Sequence, residues 1–145
     1  MLSMKAKYGL RALTILAKEY GKGPVLIADL AKQERIPHKF LELILLELKK
    51  KGVLQSKKGK GGGYFLNRSP SATSVGEVIR ALDGPLALLP CVSQTAYRRC
   101  DECPDERTCG IRSVMKEVRD STARILDGTS LAEIVARSQC GVESD

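Results

Sequence analysis

Four cysteines lie close together in a polar segment of the chain. Cys91, Cys100, Cys103 and Cys109 belong to the stretch CVSQTAYRRCDECPDERTCG, which contains no histidine. Thiolates bind soft and borderline metals, and four of them can complete a zinc or iron-sulfur site without any other residue type. This density of thiols in a polar segment favours a metal site over four buried, inert side chains.

The spacing of these cysteines leaves two metals open. The segment contains one C-x2-C pair and two longer, irregular intervals. Zinc usually prefers two separated C-x2-C pairs, whereas irregular intervals suit the larger span of an iron-sulfur cluster. We therefore predict a 2Fe-2S or 4Fe-4S cluster, with zinc as the alternative.

Cysteine number and hydropathy indicate the compartment. The chain has five cysteines, an odd number, and the fifth, Cys140, has no partner that the sequence identifies. No run of about 18 apolar residues and no apolar leader segment is present. We expect a cytoplasmic protein with reduced thiols and no association with membranes.

Charge is divided unequally along the chain. The formal net charge is +7; residues 1–68 carry 15 Lys and Arg against 5 Asp and Glu, and residues 69–145 carry 9 against 12. Basic side chains that neutralise phosphates release counterions, so a basic half indicates a polyanionic partner. Solvated helix surfaces explain the charge equally well. The arrangement of the basic residues must therefore decide.

Three short helices are predicted in the basic half. The first has one apolar face, made by Met4, Tyr8, Ala12, Ile15 and Leu16. A two-turn helix follows and ends before Pro37, which opens a third helix. The third helix is expected to bury Leu41, Ile44, Leu45 and Leu48. The last two helices, joined by a tight turn, form a helix-turn-helix pattern.

A basic hairpin is predicted after the third helix. The stretch VLQSKKGKGGGYFLN indicates strands over 53–56 and 64–67 around a tip rich in lysine and glycine. In a winged helix-turn-helix such a hairpin lies on the DNA backbone while the preceding helix enters the major groove. The predicted contacts are Lys57, Lys58, Lys60 and Gly61. A phosphate-binding loop would need a helix after the glycines, and here a strand follows.

A long helix is predicted after the cysteines. In GIRSVMKEVRDSTARILDG, Ile111, Val118 and Ile125 repeat every seven residues, with Val114 beside them. A narrow stripe on a helix of about five turns favours pairing of two copies over intramolecular packing, so we expect a homodimer. The fold class is mainly α with a small β-hairpin: a winged helix-turn-helix over 1–84, a cysteine-rich loop over 85–110, and a long dimerisation helix with a tail over 111–145.

These motifs resemble the Rrf2 family of bacterial winged-helix regulators. The likeness rests on KYGLRALTILA, GKGGGY, VGEVIRALDG and CGIRSVMKEVRDSTARILDG, and it covers nearly the whole chain. The resemblance implies a dimeric transcription regulator that binds palindromic promoter DNA as a duplex and responds to an iron-sulfur cluster. An enzyme is disfavoured, because His38 is the only histidine and no nucleophile motif is present.

The resemblance also implies residue roles in the cysteine loop. It places Cys91, Cys103 and Cys109 on the family's three cluster cysteines. The family's positions for a different fourth ligand hold Arg112 and Lys7 here, which cannot act in that way. Cys100 is therefore the expected fourth ligand, with a spare or resolving thiol as the alternative.

Four residues of the third helix are predicted to contact DNA: His38, Lys39, Glu42 and Leu43. Glu42 matches a family glutamate that can accept a hydrogen bond from cytosine N4. Leu43 differs from a polar residue in some relatives. The rival class is a zinc-stabilised or metal-free module that binds nucleic acid or a partner protein without sensing.

Overall fold

The computed structural model describes residues 2–140, which form six α-helices and one two-stranded hairpin. The helices are α1 (Met4–Lys18), α2 (Ile27–Glu34), α3 (His38–Lys50), α4 (Val75–Asp83), α5 (Gly110–Asp127) and α6 (Leu131–Cys140). The strands are β1 (Leu54–Lys57) and β2 (Gly63–Leu66), and single 3₁₀ turns lie at Pro70–Ala72, Pro90–Val92 and Glu106–Thr108. None of the helices among these residues combines the length and apolar character that a membrane crossing requires.

The core is built mainly by α1, α3 and α4, and α2, the hairpin and α6 add buried side chains to it. The four residues of α3 predicted to face inward are all buried, which confirms the apolar period of this helix. Gly9 of α1 packs directly against α4, because a Cβ at this position would collide with the side chain of Leu82. Met4 does not join the core as predicted. Its side chain is 51% exposed, although Ala6 in the same turn is fully buried.

The turn between α2 and α3 is short and sharply bent. Arg35 follows α2 in the left-handed conformation with φ of 53°, and Pro37 directly precedes α3. Ile36 between them is buried. Arg11 of α1 donates from Nε to the carboxylate of Glu34 at 3.0 Å, which holds the end of α2 against α1. Thus the predicted helix-turn-helix is present, and Arg11 serves this packing.

The hairpin is antiparallel and is attached to the helical unit. Leu54 pairs with Leu66 and Lys57 with Gly63, so each strand is displaced by one residue from its predicted bounds. Val25 and Tyr64 exchange backbone hydrogen bonds of 2.9 and 2.8 Å, which connect β2 to the segment before α2. These bonds fix the direction in which the hairpin projects from the helices.

The two helices that flank the cysteine loop are joined by an ion pair. The hydroxyl of Ser74 caps α4 by accepting from the backbone N–H of Glu77 at 3.1 Å. Near the other end of α4, Arg80 donates two hydrogen bonds to Asp127 of α5, at 2.6 and 2.8 Å. The pKa of Asp127 is lowered, chiefly by these hydrogen bonds.

Helix α6 lies in the segment for which the sequence predicts only a tail after the dimerisation helix. It packs against α1, and Leu131 at its start is fully buried. Ser130 and Glu133 form a reciprocal capping box: Glu133 accepts from the Ser130 backbone N–H at 2.7 Å, and the Ser130 hydroxyl accepts from the Glu133 N–H at 3.2 Å. Cys140 is exposed at the end of this helix.

Candidate functional site

The outward face of α3 carries the four residues predicted to contact DNA. His38, Lys39, Glu42 and Leu43 are all exposed, and they lie in the first two turns of the helix. Their orientation follows from the opposite face of α3, which is locked into the core. The side chains at the start of α3 are therefore available to a groove of DNA. In a recognition helix, these N-terminal residues are the ones that contact base edges.

The tip of the hairpin presents three exposed lysines, Lys57, Lys58 and Lys60. Within residues 2–140, no acidic side chain lies at ion-pair distance from any of them. Gly59 and Gly61 adopt φ of 88° and 74°, which only glycine reaches at low cost, so the turn depends on them. The tip is a compact cluster of uncompensated positive charge.

The hairpin and α3 are close neighbours. Lys49 of α3 donates to the hydroxyl of Ser56 in β1 at 2.6 Å. Burial raises the pKa of Tyr64 in β2, and the nearby carboxylate of Glu42 adds to this rise. The basic tip and the outward face of α3 therefore belong to one connected surface.

The cysteine loop contains only free thiols in differing environments. Cys91 is buried in the turn Pro90–Val92, Cys100 is exposed, and Cys103 is half-buried. Cys109 precedes α5, where its sulfur accepts from the backbone N–H of Arg112 at 3.4 Å. Cys91 and Cys100 line one cavity of about 330 Å³, and the other two cysteines do not line it.

Two arginines of α5 hold the turn that contains Cys91. Arg112 donates from Nε to the carbonyl of Cys91 at 3.3 Å, and Arg119 donates from Nη1 to the carbonyl of Val92 at 2.7 Å. The two arginines are seven residues apart and thus lie on one face of α5. The sequence alone predicts no role for Arg112, which cannot act as a ligand. In the structure, it contacts both the first and the last cysteine of the loop.

The four loop thiols are not gathered into one site. In the described part of the chain, no group of three or more His, Cys, Asp or Glu side chains is placed to hold a metal ion. The donor set itself suits an iron-sulfur cluster, because four free thiols lie in one loop and Cys91 is shielded from solvent. The types and spacing of the four cysteines therefore suit a metal site, whereas their positions in the structure do not bring them together to form one.

Helix α5 has an unpartnered apolar stripe along its outer face. No residue of α5 is buried, and its exposed large apolar side chains are those predicted as a pairing seam. They are Ile111, Val114, Val118 and Ile125. The opposite face of α5 contacts α4 and the turn Pro90–Val92. This stripe has no function in the fold of the described residues.

Fold and surface together define the class of the protein. A helix-turn-helix on a three-helix core, followed by a basic hairpin, is the architecture of winged-helix DNA-binding proteins. A family model, Rrf2, described as an iron-dependent transcriptional regulator, matches residues 2–137. The chain belongs to the Rrf2 family, which confirms the resemblance found in the sequence.

Individual relatives agree with this assignment. The chain is 42% identical to an Rrf2-like helix-turn-helix transcriptional regulator of Rhodobacter capsulatus, over 94% of this chain and 93% of the relative. It is 31% identical to the regulator CymR of Bacillus subtilis, over 93% of this chain and 89% of the relative. The solved structure of that CymR, described as the global cysteine regulator, has a TM-score of 0.78 at 27% identity and covers 94% of this chain and 96% of its own.

A second structural relative is the IscR of T. potens. Its structure has a TM-score of 0.77 at 27% identity and covers all of this chain and 93% of its own. These relatives are winged-helix transcription regulators, a class of DNA-binding proteins that are not enzymes. The chain is therefore a helix-turn-helix transcription regulator.

Proposed function

We propose that the chain acts as a homodimer on double-stranded promoter DNA, and that an iron-sulfur cluster on its cysteine loop alters this binding. The observation that carries the proposal is the pair of hydrogen bonds from Arg112 and Arg119 to the turn of Cys91. They connect the loop directly to the helix that bears the exposed apolar stripe. A change at the thiols thereby reaches the element that sets how two copies are spaced.

The DNA contacts divide into two kinds. Lys57, Lys58 and Lys60 neutralise phosphates, with the backbone at Gly61 close to the strand, and this contact carries no sequence information. His38 and Lys39 support the start of α3 at the groove, and Glu42 accepts from cytosine N4. The exposure of all these residues and the absence of ion pairs at the hairpin tip, within residues 2–140, support this division.

Dimerisation follows from the stripe on α5. Exposed Ile and Val side chains at helical spacing gain free energy when a second copy covers them, about 25 cal/mol per Å² of apolar surface. A two-fold dimer presents two α3 helices and two hairpins to successive half-sites of a palindrome. The seam and the DNA surface lie on different elements, so both can be used together.

The cluster would be held by Cys91, Cys103 and Cys109, with Cys100 as the fourth ligand. When bound, a cluster supplies a centre whose charge and stability depend on iron supply and oxidation. The description of the family as iron-dependent and the similarity to IscR support this proposal. The role of Arg112 is to hold the Cys91 turn near Cys109, through its side chain and its backbone N–H.

A second candidate is a regulator of the same DNA-binding type whose loop holds no cluster. The separation of the four thiols favours it, as does the similarity to CymR, described as a global cysteine regulator. In this case the loop responds to a sulfur compound, or zinc stabilises it. Metal content separates these candidates.

The test is metal and sulfide analysis of protein purified without oxygen. We expect iron, sulfide and visible absorbance in the wild type, and loss of all three in Cys91→Ala, Cys103→Ala and Cys109→Ala, because thiolates supply most of the bonds. Cys100→Ala is expected to give an altered or oxygen-labile cluster. Cys140→Ala is the matched control and should equal the wild type. About one zinc per chain, or no metal at all, would reject the cluster.

A further inference from the structure

The outward face of α3 contains an exposed apolar pair between basic residues. Leu43 is 65% exposed and Leu46 is 41% exposed. At helical spacing of three and four residues, Lys39 precedes this pair and Lys50 follows it on the same face. Leu43 and Leu46 line a shallow depression of about 400 Å³ together with Phe40, Glu47 and other neighbours.

The fold does not need these two leucines. The core of α3 is complete with its four buried residues, and both leucines face solvent. A single exposed leucine is ordinary on a protein surface. Two exposed leucines one turn apart, with lysines at both ends of the strip, form an apolar patch of the kind that marks a contact surface.

The charge of the strip specifies what that contact is. Lysines at both ends suit phosphates on the two sides of a groove, whereas an apolar protein surface would leave them uncompensated. Within the major groove, the C5 methyl group of thymine is the apolar feature that base edges present. A leucine between phosphate-binding ends is therefore suited to contact the methyl group of a thymine.

We propose that Leu43 contacts the C5 methyl group of a thymine and thereby specifies one base pair of the operator. The inference rests on the proposed role of α3 as the recognition helix. Glu42 is the neighbouring residue, so the two side chains meet nearby base pairs. With base pairs about 3.4 Å apart, this thymine lies within about two base pairs of the cytosine that Glu42 recognises.

Deoxyuridine tests the proposal, because it differs from thymidine by the methyl group alone. The preferred operator is first selected from random duplexes with the wild-type protein. Each thymine is then replaced in turn, and the Kd is measured by fluorescence anisotropy. We expect one position in each half-site at which the wild type binds about four-fold more weakly, the loss expected for one buried methyl group.

Two variants assign this effect to Leu43. Leu43→Ala should bind the thymine and deoxyuridine duplexes with equal affinity, since the side chain that contacts the methyl group is gone. Leu88→Ala is the matched control, because Leu88 is 61% exposed and lies in the segment between α4 and the turn of Cys91, outside α3 and the hairpin. It should retain the four-fold preference. Circular dichroism checks that each variant is folded.

The outcomes distinguish this inference from the proposed function. If the wild type binds thymine and deoxyuridine duplexes equally at every position, Leu43 does not recognise a thymine methyl group. A four-fold preference for thymine that persists in Leu43→Ala also overturns the proposal. If Leu43→Ala binds DNA normally but its molecular mass in light scattering changes, the proposal is also overturned, because Leu43 then contacts protein. If Glu42→Ala still relaxes the cytosine preference, α3 remains the recognition helix; if no operator is selected, both proposals fail.

Discussion

The winged-helix half and the cysteine-loop half are held together by different forces. In the first, α1, α3 and α4 share a continuous core of fully buried leucine and valine side chains. In the second, α5 buries no residue, and its contacts include polar bonds from Arg80, Arg112 and Arg119. A core of packed side chains resists rearrangement, whereas a few polar bonds permit it. In the proposed function, this difference would place a stable DNA-binding surface beside a region whose arrangement responds to a ligand.

The largest effect is expected from charges in the apolar stripe of α5. Replacing Val118 and Ile125 together by Asp buries like charges across a two-fold axis, which a dimer cannot accommodate. Light scattering should report a monomer. Lys116→Asp changes the net charge by the same amount on the opposite face of α5, and it should leave the dimer intact. A dimer that survives the double substitution would refute the seam.

A smaller effect is expected from the hairpin tip of the other half. Replacement of Lys57, Lys58 and Lys60 by Ala removes the charges that neutralise phosphates, so binding should weaken on every DNA sequence alike. The slope of log K against log salt should fall by about one unit for each phosphate that is no longer neutralised. Anisotropy titrations over a range of salt concentrations measure it. A slope equal to that of the wild type would remove the hairpin from the DNA interface.

Substitution of the same number of lysines elsewhere provides the control for this experiment. Lys18, Lys22 and Lys32 are exposed residues of the same basic half that lie outside α3 and the hairpin. Their replacement by Ala lowers the net charge equally. It should change the salt dependence less than replacement of the tip lysines does.

The smallest effect is expected at the ion pair between the halves. Arg80 lowers the pKa of Asp127 below its ordinary value of 3.8, so the pair stabilises the fold above that pH and ceases to do so as pH falls through the lowered pKa. Because Asp127 is 43% exposed, solvent screens the pair, and Asp127→Asn should cost at most about 1 kcal/mol at pH 7. Urea unfolding at pH 7 and pH 3 measures the free energy. A difference between variant and wild type that grows toward pH 3 would contradict this account.

The two halves also differ in how well the sequence predicts them. In the first, the apolar period of α3, Pro37 and the glycines of the hairpin identified the elements, because each is a local signal. Both strands lie one residue nearer the tip than predicted, with Lys57 paired to Gly63, because the lysine- and glycine-rich pattern does not show where the turn begins. The spacing in α1 also predicts a buried Met4, but a helical period does not show which of its positions other elements cover.

In the second half, local signals identified α5 and left out α6. The capping box of Ser130 and Glu133 was present in the sequence, and it marks the helix that returns to α1. The arrangement of the four thiols could not be predicted, because a loop without periodicity has no pattern that fixes its path. The bonds from Arg112 and Arg119 to backbone carbonyls were equally invisible, since any residue supplies a carbonyl.

The central claim is that the state of the cysteine loop alters DNA binding by α3 and the hairpin. Its most direct test is the Kd for the selected operator, measured without oxygen on one preparation before and after removal of the metal. We predict affinities that differ by about 5- to 150-fold, the usual range of coupling between two sites, with no comparable change on random DNA. Equal affinity of the metal-loaded and metal-free protein for the operator would contradict the account.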